Sequence, residues 1–312
     1  MPVVLISGGT GLIGANLTRH LLDRNYDLII LTRDKNKTSE NKRIRYSYWD
    51  VKKQIIDINI LKEVDHIIHL AGAGVMEKKW TAEYKKTILE SRTKSAELIL
   101  KTLKEIKHQV KTFISASAIG WYGKDPKPLE RKEGFIETDL PSQDFLGETC
   151  LLWEASLEHA KNMDIRLVKL RSGIVLSNAG GAFKEFKIPL RFGVATIFGN
   201  GRQILSWIHI DDLCRMYCDS IENGYLNGSY NAVSPEPVSQ KKFMIALGEK
   251  LRHRFFIPVH IPVFVLKMVL GKRSVEILKS ATVSEKKIKA AGFTFLYPTL
   301  DAALDELTRQ KQ

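Results

Sequence analysis

At 312 residues, with 44% hydrophobic and 27% charged side chains, the chain is long enough to bury a large core, which excludes a disordered segment or a staple-dependent mini-protein. Three cysteines, Cys150, Cys214 and Cys218, are too few for a disulfide framework; with no CxxC or HxxxH pair beside them they read as small buried side chains in a reducing compartment, and no metal is expected. The net charge of +13 is spread over Arg33–Arg45, Lys78–Lys86, Lys101–Lys111, Arg252–Arg254 and Lys286–Lys289 without a zinc-finger or aromatic RNA-binding signature, so it reads as solvated helix faces around an anion pocket, not as a nucleic-acid surface.

An apolar strand begins at Val3, so no signal peptide is expected. The first elements are a strand at Val3–Ser7, a glycine-rich turn, and a helix through Leu12, Leu17, Leu21 and Leu22. Further strands are predicted at Leu28–Leu31, Ile44–Trp49, His66–Leu70, Thr112–Ser115 and Ile165–Leu170, with helices around Glu83–Leu103 and through Leu151, Trp153, Ala155 and Leu157. Strands alternating with helices predict an α/β fold, a Rossmann-type doubly wound parallel sheet. Continuously apolar runs such as Leu28–Leu31 suit strands buried on both faces.

Beyond residue 172 the pattern changes. Gly173–Gly201 is glycine-rich without a sustained period; a strand near Ser229–Ala232 and a helix over Ser239–Leu251 follow. Phe255–Leu270 contains Pro258, His260, Pro262 and Lys267 and is shorter than a bilayer span, so it reads as a loop and a buried helix. The expected organisation is a dinucleotide-binding domain over residues 1–171, to which about 203–233 return, and a smaller C-terminal substrate-side region over 172–312. A cytoplasmic chain with no membrane partner, monomeric or homodimeric, is expected.

The turn Gly8-Gly9-Thr10-Gly11-Leu12-Ile13-Gly14 lies between a strand and a helix, the context in which glycines at this spacing hold a pyrophosphate. They allow a tight turn and close backbone approach, and the helix N-terminus adds partial positive charge. Arg33, with Lys35 and Arg43 nearby, follows the second strand where an acidic residue would favour NAD, so the expected cofactor is NADP, with NAD the weaker reading.

With Ile6–Gly14, several further stretches resemble the extended short-chain dehydrogenase/reductase superfamily, and within it the atypical YfcH-like "epimerase family". They are His69-Leu70-Ala71-Gly72, Lys79-Trp80-Thr81, Ser115 to Gly123, Leu170–Leu176 and Ser206 to Asp212, with Ile261–Gly271, Ala291-Gly292-Phe293 and Tyr297-Pro298-Thr299-Leu300 in the tail. The resemblance implies that Asp50 lies near the adenine, that Leu70, Ala71 and Gly72 pass the ribose and phosphates, and that Ser115 and Ser117 end the fifth strand beside the nicotinamide. His69 reads as a core histidine, and Trp207 and His209 fit packing as well as a site loop.

The superfamily's Tyr-x-x-x-Lys pair is missing. In the corresponding segment, Phe145 to Leu151, Leu146 falls at the tyrosine position and Cys150 at the lysine position, and neither can do acid–base work. Ser117, Tyr122 and Glu148 are the candidate substitutes. The resemblance therefore implies an NADP-dependent oxidoreductase or nucleotide-sugar epimerase on an unknown small substrate; the alternative is a non-catalytic NADP(H)-binding redox sensor or regulator.

Overall fold

The computed structural model describes residues 1–126, 134–253 and 255–309. Arg254, which closes one predicted basic run, lies outside the described residues.

The first half alternates as the apolar periods require. It runs β1 (Val3–Ser7), α1 (Leu12–Asp23), β2 (Asp27–Thr32), β3 (Ile44–Asp50), β4 (Ile55–Ile56), α2 (Ile58–Lys62), β5 (His66–His69), α3 (Ala82–Lys104), β6 (Thr112–Ala118), α4 (Phe145–Ser156) and β7 (Arg166–Ser172). Next come β8 (Ile174–Leu176), α5 (Gly181–Arg191), β9 (Val194–Phe198), β10 (Ile204–Leu205), β11 (Trp207–His209), α6 (Ile210–Glu222) and β12 (Gly228–Ala232). The chain ends with β13 (Val238–Ser239), α7 (Gln240–Arg252), β14 (Ile257–Ile261), α8 (Val263–Leu270), α9 (Ser274–Leu278), α10 (Lys286–Ala290) and α11 (Leu300–Thr308).

The main sheet has eight strands in the order β12-β7-β6-β5-β1-β2-β3-β4. All neighbours are parallel except β4, which runs antiparallel to β3. Val4, Leu5 and Ile6 of β1 and Leu28 to Leu31 of β2 are buried, as strands covered on both faces require. Helix α1 packs on α6, and α3 on α4. The chain thus comes back to the sheet through α6 and β12 after leaving it at β7.

A second apolar core joins α5, β9, α7 and α11 through Phe183, Leu190, Phe243, Leu247, Leu304 and Leu307. The stretch without a sequence period, 173–201, holds β8, α5 and β9 joined by glycine turns; Gly193, Gly199 and Gly201 have φ of +75°, +61° and +69°. The Phe255–Leu270 expectation is corrected. Residues 257–261 form a strand beside β9, and α8 is not buried: Leu266 is its buried residue, while Phe264, Met268 and Val269 are 70%, 77% and 64% exposed. With Lys267 as its one polar residue, α8 carries no polar stripe to mark which face meets solvent, so composition alone misassigns it.

Two buried carboxylates anchor the tail. Asp212 of α6 accepts the Leu296 and Tyr297 N–H groups at 2.8 and 2.9 Å. Asp125 accepts the Ser280 hydroxyl and the Thr282 N–H, both at 2.9 Å.

Candidate active site

The glycine turn lies where β1 ends. Gly8 has φ of +73°, and a Cβ there would come within 2.8 Å of the Leu70 carbonyl carbon. A Cβ at Gly14 would lie 2.5 Å from the Gly8 oxygen. Both glycines are therefore fixed by close backbone approach. The Gly11 N–H donates to the Gly8 oxygen at 3.0 Å, and α1 opens behind Gly11 with no side-chain cap and no acidic residue in its first turn. Thr10 and Gly11 are exposed at the tip of the turn, Leu12 and Ile13 are half-buried, and the first backbone N–H groups of α1 remain available to an anion. A pyrophosphate fits this cradle.

The segment after β5 is tied to the same edge. Leu70 N–H donates to the Ser7 oxygen at 2.9 Å, Ala71 N–H to Ser7 Oγ at 3.4 Å, and Ala73 N–H to Ser91 Oγ at 2.9 Å. Gly181, at the start of α5, approaches from the other side: a Cβ there would lie 3.0 Å from Leu12 Cδ2. Arg33 follows β2, is exposed, and makes no hydrogen bond or ion pair among the described residues. Lys35 lies 4.8 Å from the Tyr48 ring centroid. Arg43 is engaged elsewhere, donating to the Leu22 and Tyr26 carbonyls at 3.1 and 2.7 Å. At the end of β3, Asp50 accepts the Lys52 and Lys53 N–H groups at 3.0 and 3.1 Å, and these contacts hold its carboxyl below the ordinary range.

A cleft of about 310 Å³ opens beyond β6, between the sheet and the C-terminal tail. Leu146 and Cys150 of α4 line it with Ala118 and Gly120; a Cβ on Gly120 would lie 3.3 Å from Leu146 Cβ. Leu146 and Cys150 thus both face the cleft. Burial pushes the Cys150 thiol up to about 12, so it is neutral. Val75 and Met76 form the rim, held by Trp80 Nε1–H on the Val75 oxygen at 2.8 Å and by Arg273 Nη1 on the Met76 oxygen at 2.7 Å. Trp80 also meets Phe145 edge-on at 5.0 Å, which explains the Lys79-Trp80-Thr81 stretch as a clasp between this loop and α4.

The three catalytic candidates are not brought together at the cleft, and none of them lines it. Tyr122 is fully buried, stacked on Phe135 at 5.1 Å; its hydroxyl donates to Asn231 Oδ1 at 2.6 Å and accepts from Arg171 Nη1 at 3.1 Å. Burial pushes that hydroxyl up to about 12, opposed by Arg171. Ser117 is buried and donates to Glu154 Oε1 at 2.7 Å, and Glu148 is exposed on the surface of α4. The expectation is that Tyr122 or Glu148 supplies the acid, or that Ser117 orients a carbonyl; the structure places all three outside the lining of this cleft, and a proton donor must reach the reacting atom. Ser115 is also fully buried, its hydroxyl on the Ala116 oxygen at 2.9 Å. His69 is a core residue, bonded to Ser95 Oγ at 2.7 Å.

Three cleft residues escaped sequence reasoning: Arg92 of α3, and Glu276 and Lys279 of the tail. Arg92 lies under Gly72, whose Cβ would come 2.9 Å from the guanidinium carbon, and 5.1 Å from the Trp153 ring centroid. One signal was available for it. Ile88, Arg92, Ala96 and Ile99 share a helical face, so Arg92 interrupts an apolar stripe.

In the Ser206 to Asp212 stretch Ser206 lines the cleft, and its neighbours are held by packing and hydrogen bonds. Ser206 Oγ donates to the Ala281 oxygen at 2.8 Å, Trp207 Nε1–H to the Glu236 oxygen at 2.7 Å, and His209 meets Glu306 at 3.0 Å and lies against the Tyr297 ring at a tilt of 39°. Cys214 and Cys218 are free and buried in α6. Among the described residues no group of three or more His, Cys, Asp or Glu side chains could hold a metal, and no helix is long and apolar enough to cross a membrane.

Comparison with known proteins converges on this architecture. The profile of the NAD dependent epimerase/dehydratase family matches residues 4–232, and that of a domain of unknown function, DUF1731, matches 261–307. An epimerase family protein of Staphylococcus saprophyticus is 35% identical over 98% of this chain and 99% of its own; one from Staphylococcus aureus strain MRSA252 is 33% identical over 98% and 99%. The human epimerase family protein SDR39U1, solved with NADPH, superposes with a TM-score of 0.84 at 25% identity over 99% of both chains.

Proposed function

Because the chain belongs to the NAD dependent epimerase/dehydratase family, we propose that it is a cytoplasmic NADP(H)-dependent oxidoreductase acting on a small carbonyl or alcohol. The observation that carries this reading is the placement of two features at the C-terminal ends of the parallel strands of one sheet: an uncapped helix start behind Gly8–Gly14, and a partly enclosed cleft beyond β6. When bound, the nicotinamide gives or takes a hydride. In this assignment residues 1–171, with the return of about 203–233, hold the dinucleotide, and the remainder shapes the substrate side.

The chain's own groups divide the work. The N–H groups at the start of α1, with Gly8, Thr10, Gly11, Leu12, Ile13 and Gly14, cradle the pyrophosphate. Leu70, Ala71 and Gly72 pass the ribose, and Asp50 borders the adenine. Arg33, exposed and without a partner among the described residues, offers a forked pair of donors to a 2′-phosphate. The bound NADPH of the human relative supports the same choice. Arg92 presents a cation beside Gly72 and Cys150, in the part of the cleft where relatives with the full pair carry lysine.

A non-catalytic NADP(H)-binding regulator is the second reading, favoured by Leu146 and Cys150 at the acid–base positions. Titration with NADPH and NADH, followed by nucleotide fluorescence, tests the cofactor assignment. NADPH is expected to bind at least tenfold more tightly than NADH, and Arg33→Ala to remove that preference. Failure of both nucleotides to bind overturns either reading.

A further inference from the structure

Most polar side chains lining the cleft already have partners. Thr149 donates to the Phe145 oxygen at 2.7 Å, and Ser206 accepts the Val283 N–H at 3.0 Å while donating to Ala281. Gln240 accepts the Phe198 N–H at 3.1 Å and donates to the Thr196 oxygen at 2.9 Å. Lys279 pairs with Asp144 at 3.2 Å. Glu276 differs. Its side chain is 18% exposed, it lines the cleft, and among the described residues its carboxylate accepts no hydrogen bond; the Lys279 ammonium stands 3.9 Å away. The Glu276 oxygens are thus left open to the cleft, where the carboxylate can accept from a ligand hydroxyl and the protonated carboxyl can donate to a ligand carbonyl.

The walls narrow the class of ligand. Ile119, Leu146, Ile174, Phe186, Phe198 and Ile277 make the surroundings apolar. Of the two cations present, Lys279 is held by Asp144 and Arg92 lies beside Gly72 at the dinucleotide edge. Among the described residues a nucleoside diphosphate would find no free cationic clamp in this cavity.

We propose that Glu276 is the proton-transfer residue of the cleft, giving its carboxyl proton to the oxygen of a small, largely apolar ketone or aldehyde in the place that Leu146 leaves without an acid. The inference rests on the oxidoreductase reading. The carbonyl carbon takes two electrons as hydride, for which the reduced dinucleotide is the donor; the oxygen takes the Glu276 proton, and the product alcohol leaves a carboxylate that regains a proton from water. Burial raises the Glu276 carboxyl above its ordinary range; Lys279 opposes this and Asp144 reinforces it, the direction an acid working near neutral pH requires. Lys279, fixed by Asp144, acts as a positioning residue through its reach to Glu276.

The test compares wild type with Glu276→Gln, an isosteric change at a side chain with no hydrogen bonds to lose. NADPH affinity is measured alongside reduction of 9,10-phenanthrenequinone, an apolar dicarbonyl probe, across pH. The expected result is a kcat loss of about 100-fold or more with NADPH affinity unchanged within about twofold. Retention of kcat within about threefold overturns the proposal. Failure of wild type to bind NADPH instead overturns the oxidoreductase reading. Should wild type bind NADPH and leave the probe unreduced, a 13C titration of the glutamate carboxyls, assigned with the variant, decides. A Glu276 carboxyl titrating well above about 4.3 supports the role, and one at or below that value overturns it.

Discussion

Arg171 grips Glu154 with two parallel hydrogen bonds, Nε to Oε1 at 2.8 Å and Nη2 to Oε2 at 3.0 Å, both side chains being almost fully buried. The guanidinium also lies 3.7 Å from the Trp121 ring centroid and donates to the Tyr122 hydroxyl. Ser117 and Ser229 add their hydroxyls to the Glu154 carboxylate. The two seryl and tyrosyl groups that chemistry suggested as catalysts, Ser117 and Tyr122, are therefore members of one ionic network beneath the cleft.

Breaking that network from one side leaves an uncompensated charge. Glu154→Ala strands Arg171 and is expected to cost about 3–5 kcal/mol, read as a shift in the urea midpoint. Burial by itself raises the Glu154 carboxyl, but the hydrogen bonds and charge of Arg171 outweigh it and hold the group below its ordinary value of 4.5. The folded state therefore binds fewer protons here than the unfolded chain. This contribution is complete above pH 4.5 and is lost as the pH falls below it. A wild-type stability curve flat through that acid range would contradict the assignment.

His69 gives stability a second, milder acid dependence. Burial lowers its imidazole to about 3, with the Arg92 charge pushing the same way. The unfolded chain protonates this histidine near 6.5 while the folded one stays neutral, so stability declines as the pH falls from 6.5 toward 3. The slope for one such group is about 1.4 kcal/mol per pH unit. His69→Gln, which keeps a polar group facing Ser95, is expected to flatten that decline between pH 6.5 and 5. Equal slopes in the two proteins would show that His69 is free to titrate in the native state.

Cys150 and Arg92 set up a third test. They face one cleft, and the guanidinium charge acts on the thiol. The substitution Cys150→Lys puts a second cation beside Arg92 and is expected to destabilise by about 3 kcal/mol or more. Combining it with Arg92→Leu should recover at least about 1 kcal/mol as coupling in a double-mutant cycle of urea midpoints. Additive effects would mean that the two side chains do not sense each other.

The sheet was legible because its strands are local apolar runs: Val3–Ser7 and Leu28–Leu31 state their burial within five residues. The glycine cradle was legible for a similar reason, since a turn, a helix start and a close approach are encoded by adjacent residues. The cleft was not. It joins Arg92, Leu146 and Glu276, far apart in the chain, and no short period links a carboxylate in α9 to a helix start in α4. Tyr122 misled because exposure cannot be read from its neighbours; the Asn231 that holds its hydroxyl lies 109 residues later. The exposed apolar face of α8 was hidden by the same lack of contrast that made the segment look like core.

The pinning of the tail by Asp125 and Asp212 has a consequence for how such proteins diversify. The wall that carries Glu276 belongs to a tail that both carboxylates fasten, while the glycine turn is built from residues nearer the start of the chain. Substitutions in that wall can reshape what the cleft admits without disturbing the grip on the dinucleotide. As long as both anchoring carboxylates persist, selection can tune chemical taste and redox currency on separate stretches of one gene.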